Sequence, residues 1–172
     1  AAAAGPAVAR PQSGPGASSP AWRRLRERIL DAGGVVCLDG GTGSELERRA
    51  ARSRQGEDAV NQSGWSCLQW RTHPDLLREV HASYLRHGAK VVISNSYATN
   101  RHIMKAAGFE DLTVEGTLSA VRLAREARDG FRAEAEAAEE EPLLVAGSMS
   151  CHPPGMAHGA AMDKGQWPPR ER

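Results

Sequence analysis

The sequence predicts an α/β fold with a parallel sheet, and three observations carry that prediction. Short apolar runs at residues 35–38, 90–93 and 142–146 each end abruptly in glycines, hydroxyls or a carboxylate. Stretches with helical spacing lie between them, so the chain can return between strands, as parallel pairing requires. Apart from Lys90 the runs are apolar rather than alternating, which is the pattern of strands covered on both faces.

The chain has 172 residues, enough for one ordinary domain. Its formal charge is +1, so nothing points to electrostatic binding of nucleic acid or a membrane surface. No apolar run approaches the ~20 residues of a membrane span. Cys37, Cys67 and Cys151 lie far apart and form no CxxC pair, which suits a reducing compartment and gives no disulfide framework. Residues 1–20 are almost entirely Ala, Pro, Gly and Ser and read as a disordered leader; residues 21–172 form the domain. A cytoplasmic protein is expected; because the leader has no acidic residue, an organellar transit peptide is the alternative.

Residues 22–32 place Trp22, Leu25, Ile29 and Leu30 on one face of a helix closed by Gly33-Gly34, with arginines on the solvated face. It is expected to pack under the first strand, residues 35–38, in which Cys37 is a small core residue. Asp39 stands where that strand leaves the core. Gly40, Gly41 and Gly43 let the backbone turn and approach a ligand closely. Ser44 is a candidate N-cap for the following helix, with Glu45 and Glu47 in its first turn. Residues 51–64 read as a polar loop.

Thr72 is a candidate N-cap and Pro74 an early position of the next helix. Leu76, Leu77, Val80, Tyr84 and Leu85 form its apolar face, His81 on the same helix reads as a helix-face residue rather than a catalyst, and His87-Gly88 closes it. The second strand, 90–93, ends in Ser94-Asn95-Ser96-Tyr97. A short helix over 98–107 ends at Gly108. A long one follows over 113–141, with Leu118, Val121, Leu123, Ala124 and Ala127 toward the sheet and Gly130 as a candidate break. The third strand ends in Gly147-Ser148, and residues 149–172 read as loop.

Every strand thus ends in polar or glycine residues at its C-terminal end, where α/β folds gather ligands. Strand starts lie roughly 50–55 residues apart, longer than the ~30 residues of a bare βα unit. The expectation is a partial (β/α)8 TIM barrel, about the first three βα units.

Five stretches in register resemble the N-terminal part of the homocysteine S-methyltransferase family, relatives of betaine–homocysteine methyltransferase. They are Leu38-Asp39-Gly40-Gly41-Thr42-Gly43-Ser44-Glu45-Leu46; Trp65-Ser66; His73-Pro74-Asp75-Leu76-Leu77 with His81 and Tyr84; Asn95-Ser96-Tyr97-Ala98-Thr99-Asn100; and Val145-Ala146-Gly147-Ser148. The resemblance covers residues 35–148. It implies a zinc-dependent barrel that moves a methyl group from a sulfonium or ammonium donor to the thiol of homocysteine, giving methionine. Its partners would be homocysteine and a small methyl donor.

By the same resemblance, Asp39, Gly40, Gly41 and Thr42 form the substrate loop, and Asp39 orients homocysteine. Trp65 lines the donor side, Asn95, Ser96 and Tyr97 face the same pocket, and Ser148 lines it from the third strand. The family's zinc cysteines, including a Cys-Cys pair, belong to the second half of the barrel. Cys37, Cys67 and Cys151 match none of them. Zinc is therefore expected in the full-length family, with its ligands absent from this chain, and the chain alone is expected to be inactive. A non-catalytic truncated paralogue, or an incomplete gene product of the same fold, is the alternative. A phosphate-binding role for Gly40–Ser44 is disfavoured, because neither GxGxxG nor Gly-Lys-Ser/Thr is present. A metal cluster of Cys151, His152, His158 and Asp163 fits no standard zinc spacing.

Overall fold

The structure is a computed structural model that describes residues 19–52, 65–135 and 142–150. Most of the leader, most of the polar loop, the end of the long helix and the Cys151–Asp163 group fall outside the described residues. Helix α1 (Pro20–Leu25) is capped by the Ser19 hydroxyl, which accepts from the Trp22 amide at 3.1 Å. It runs into a wide helical turn at Arg26–Leu30. Then come α2 (Thr42–Arg52), α3 (Gln69–Thr72) and α4 (Pro74–Arg86). Strand β1 (Val91–Ile93) is followed by α5 (Arg101–Ala106), α6 (Thr113–Glu134) and β2 (Leu144–Ala146).

β1 and β2 pair in parallel, with Val91 opposite Leu144 and Ile93 opposite Ala146. On the other side of β1, the first apolar run makes a single parallel bridge, Leu38 to Val91. The Asp39 amide donates to the Val91 carbonyl at 3.0 Å, and the Lys90 amide donates to the Cys37 carbonyl at 2.9 Å. The three segments therefore lie side by side in chain order, joined by helical crossovers. This is an α/β architecture that is mostly helical around a small parallel sheet.

Helix α4 begins with Pro74, whose missing N–H is not needed there. It ends at Gly88, whose φ of +98° is open to glycine at little cost. Leu77, Val80 and Leu85 are buried on one face, as the spacing predicts. They meet Leu46 of α2, Trp70 of α3 and Leu123 of α6 in one cluster, and Val92 of β1 and Leu143 just before β2 in another. A third cluster gathers Cys67, Leu68, Ala98, Ile103 and Met104 beyond the end of β1.

Several expectations are corrected. The run at 35–38 is not a buried strand: Val35 is 84% exposed, Leu38 57% exposed, and Cys37 is exposed too. A parallel strand is buried only when a second neighbour and covering helices flank it, and here its outer edge meets none among the described residues. Trp22 and Leu30 are likewise exposed, leaving Leu25 to anchor α1. Helix α2 starts at Thr42, two residues before the predicted cap, so Ser44 lies inside it and the Glu45 amide donates to the Gly41 carbonyl at 3.0 Å.

Thr72 closes α3, its hydroxyl donating to the Leu68 carbonyl at 3.2 Å, and the position before α4 is His73. The predicted helix over 98–107 is a 3-10 turn, Tyr97–Thr99, followed by α5. Asn100 caps α5 by accepting from the His102 and Ile103 amides at 3.0 and 3.1 Å. Gly130 does not break α6, and Leu118 is 60% exposed rather than facing the sheet.

Uncovered apolar residues at the sheet edge, and Val114 and Leu118 on α6, predict a chain that binds a hydrophobic dye and unfolds over a broad range. Calorimetry and dye fluorescence test this. A sharp, cooperative transition of a dye-silent monomer would contradict it.

Candidate functional site

The C-terminal ends of the three parallel segments converge, and a pocket of about 410 Å³ opens there. Its lining combines Gly40, Thr42 and Gly43 from the first turn, Ile93, Ser94, Asn95 and Tyr97 from the end of β1, and Ser148 from the end of β2. Five residues expected at the substrate, Gly40, Thr42, Asn95, Tyr97 and Ser148, thus share one cavity. Gly43, read from the sequence only as a glycine that admits a close ligand, joins them, as do Ile93 and Ser94, which the sequence does not place at the substrate. Ile93 is the last residue of β1, and Ser94 and Asn95 follow it as the chain turns away at the strand's end. Gly43 follows from a helix that starts earlier than predicted.

Asp39, Gly41 and Ser96 stand around the pocket rather than on its wall, and the side chain of Trp65 falls outside the described residues. Asp39 lies between two lining residues: its Oδ2 accepts from the Ile93 amide at 2.7 Å, tying the first turn to β1. Its Oδ1 is buried and has no hydrogen-bond partner among the described residues. Burial pushes the Asp39 carboxyl above its ordinary value, and the Ile93 amide pulls it partly back. The Gly41 carbonyl accepts the first helical bond of α2.

Ser96 links strand ends. Its hydroxyl donates to the Ser148 carbonyl at 2.9 Å, accepts from the Ser148 amide at 3.1 Å, and lies 2.9 Å from the Ser94 hydroxyl. Together these bonds extend the β1–β2 pairing beyond Ala146 with side-chain chemistry. Asn95 touches the pocket, but its amide is engaged elsewhere. Its Nδ2 donates to the Ser66 carbonyl at 2.9 Å, and its Oδ1 accepts from the Ser66 hydroxyl at 3.1 Å. That pair holds the 3-10 turn Trp65–Leu68, which carries Trp65, against the end of β1.

The glycine at position 40 is a matter of space. A Cβ there would lie 3.0 Å from the Tyr84 hydroxyl of α4. Beside the turn, Glu45 pairs with Arg48 and, at 2.6 Å, with Arg49. The Arg48 contact is the main reason its carboxyl falls to about 2. Arg49 also donates to the Ser83 hydroxyl at 2.8 Å, so α2 is pinned to α4.

The profile of the homocysteine S-methyltransferase family matches residues 36–167. The chain belongs to that family. It is 36% identical over 140 residues to homocysteine S-methyltransferase 4 of Zea mays, spanning 79% of this chain and 39% of the maize protein. It is 32% identical over 148 residues to a selenocysteine methyltransferase of Astragalus bisulcatus, spanning 79% and 42%. Among solved structures it resembles the homocysteine methyltransferase MmuM from Escherichia coli in its metallated form. That match has a TM-score of 0.61 and 34% identity, and it covers 74% of this chain and 41% of the other. This member of the homocysteine S-methyltransferase family thus spans about two fifths of the length of the relatives it matches.

The described residues hold no metal-ligating cluster. No three His, Cys, Asp or Glu side chains among them lie close enough to hold an ion. Among the described residues, no helix is long and apolar enough to cross a membrane.

Proposed function

We propose that this chain forms the substrate-orienting end of a homocysteine S-methyltransferase, the opening part of a (β/α)8 barrel that transfers a methyl group to the thiol of homocysteine. The observation that supports this most is the pocket itself. In a chain of this family, the turn after the first segment, the end of β1 and Ser148 surround one cavity, with an unpartnered Asp39 oxygen beneath it.

The chemistry assigns each group a task. Homocysteine carries an ammonium and a thiol, and a thiol with a pKa near ~8.5 is mostly protonated at neutral pH. A donor hydrogen of the substrate reaching Asp39 Oδ1 supplies the partner that oxygen lacks and favours the charged carboxylate, which burial disfavours. The hydroxyls of Thr42 and Ser148 offer further polar contacts, and the open backbone at Gly40 lets the substrate sit close. The Tyr97 ring on the wall suits an onium methyl donor, because an aromatic face attracts a cation. In the full-length family, a bound zinc would acidify the homocysteine thiol so that its sulfur reacts as thiolate. The described residues offer no ligand set for that ion.

The test is an NMR titration of the 172-residue protein with L-homocysteine. Amide shifts at Gly40, Thr42, Tyr97 and Ser148 are expected, weakened about tenfold or more in Asp39→Ala. Absence of those shifts at millimolar homocysteine would refute the reading. In the same samples, elemental analysis should find no stoichiometric zinc. One tightly held zinc per chain would mean that residues outside the described set supply the ligands.

A further inference from the structure

We propose that Tyr84, on the face of α4 beneath the pocket, is a positioning residue: its ring props the turn at residues 39–41 and so sets where Asp39 stands. This deepens the proposed role of Asp39 and rests on it. A Cβ built at position 40 would lie 3.0 Å from the Tyr84 hydroxyl oxygen, 3.1 Å from Cε1 and 3.2 Å from Cζ. Those separations are tighter than ordinary van der Waals contact, so the bare backbone of Gly40 rests against the ring.

The ring has little freedom to retreat. It packs against the cluster of Leu46, Leu77 and Val80 on one side and of Leu85 and Val92 on the other. The turn is then held at three points. Tyr84 supports it from α4, the Ile93 amide holds Asp39 Oδ2 at 2.7 Å, and the Glu45 amide holds the Gly41 carbonyl at 3.0 Å. The charged groups that act on the Tyr84 hydroxyl are Glu45, Asp39, Arg49 and Arg48, which puts Asp39 within electrostatic reach of it.

Shape, not the hydroxyl, is the operative property, so a ring without the hydroxyl should suffice. Tyr84→Phe keeps most of the prop. Tyr84→Leu fills the core but stops short of the turn. Gly40→Ala pushes the turn off an intact ring, and combining it with Tyr84→Leu restores the space.

The experiment compares these four variants with the parent in the labelled 172-residue protein. It reads the amide shifts of residues 39–43, the titration of the Asp39 carboxyl and the affinity for L-homocysteine. Tyr84→Phe is expected to stay within about twofold in affinity, while Tyr84→Leu and Gly40→Ala each lose about tenfold or more. Both should move the amide shifts and the Asp39 titration, and the double variant should recover most of each. A merely structural tyrosine would change the melting temperature and leave the Asp39 titration in place. That outcome, or an unmoved turn in Gly40→Ala, overturns the proposal. If the parent takes up no homocysteine, the role of Asp39 fails, while shifts and titration still decide whether Tyr84 sets the turn. If Tyr84→Leu does not fold, the shifts and titration of Gly40→Ala decide on their own.

Discussion

Replacing Asn95 by alanine is expected to cost about 3 kcal/mol of stability, a large effect for one side chain on the pocket wall. Two hydrogen bonds vanish together, and both leave a partner behind. The Ser66 carbonyl loses its donor and the Ser66 hydroxyl loses its acceptor. Ser66 is 3% exposed and Asn95 8%, so water does not readily replace the missing amide. Each orphaned buried group costs roughly 1–3 kcal/mol, and the two share one residue, so the sum is less than twice the larger value.

Ser66→Ala removes the hydroxyl and keeps the shorter amide-to-carbonyl bond, so it should cost only about 1 kcal/mol. Asn95→Asp sets a carboxylate oxygen against the Ser66 carbonyl and should do no better than alanine. Urea melts of the three variants test this ordering. Equal, small losses in all three would mean that the turn Trp65–Leu68 does not depend on Asn95.

Legibility in the sequence followed how local each determinant was. Helix α4 could be placed from Pro74 to Gly88, because both punctuating residues act on the backbone beside them. β1 and β2 were visible as apolar runs that end in hydroxyls, and together with the first glycine turn those ends supplied five of the pocket residues. What could not be read depends on neighbours far along the chain. Residues 35–38 have the composition of a covered strand, yet Val35 and Leu38 are exposed, because coverage is set by partners rather than by the run itself.

The competition for caps was a nearer miss. Ser44, Thr72 and Asn100 all have side chains that suit an N-cap, and of these three only Asn100 serves as one. Propensity does not rank such candidates. The first turn of α2 starts at Thr42, where the chain leaves the glycines. Asp39, Ser96 and Asn95 show the same limit at the site. Their chemistry was evident, but their hydrogen bonds tie strand ends and turns to one another across 29 to 54 residues.

His81 carries the second large effect, and it appears as acid sensitivity. The sequence places it four residues after Leu77, on the apolar face of α4, and the structure buries it completely. Neither ring nitrogen has a hydrogen-bond partner among the described residues. Burial alone pushes its pKa down from 6.5 to about 4, so the folded state holds the ring neutral. Linkage then fixes the direction of the pH effect.

Above pH 6.5 the ring is neutral whether folded or not, and the fold keeps its full stability. As pH falls from 6.5 toward 4, the unfolded chain takes up a proton that the folded chain refuses, and stability drains away. Below about 4 the loss is complete, at roughly 3 kcal/mol. Glu45 overlaps only the acid end of this window, since its stabilisation begins to fade near the ordinary carboxylate value of 4.5 and is lost toward about 2. Asp39, raised by burial, works in the opposite sense: its protonation relieves a burial cost as pH drops.

His81→Leu removes the titration and two unpaired buried nitrogens while keeping similar bulk. It should therefore flatten the stability profile between about pH 7 and 4.5 and raise stability at neutral pH by about 1 kcal/mol. Urea melts of both proteins at half-unit pH steps measure the difference. A parent chain as stable in mild acid as at neutral pH would show that the buried ring finds a proton acceptor when charged. The packing of α4 against its neighbours would then have to open near His81.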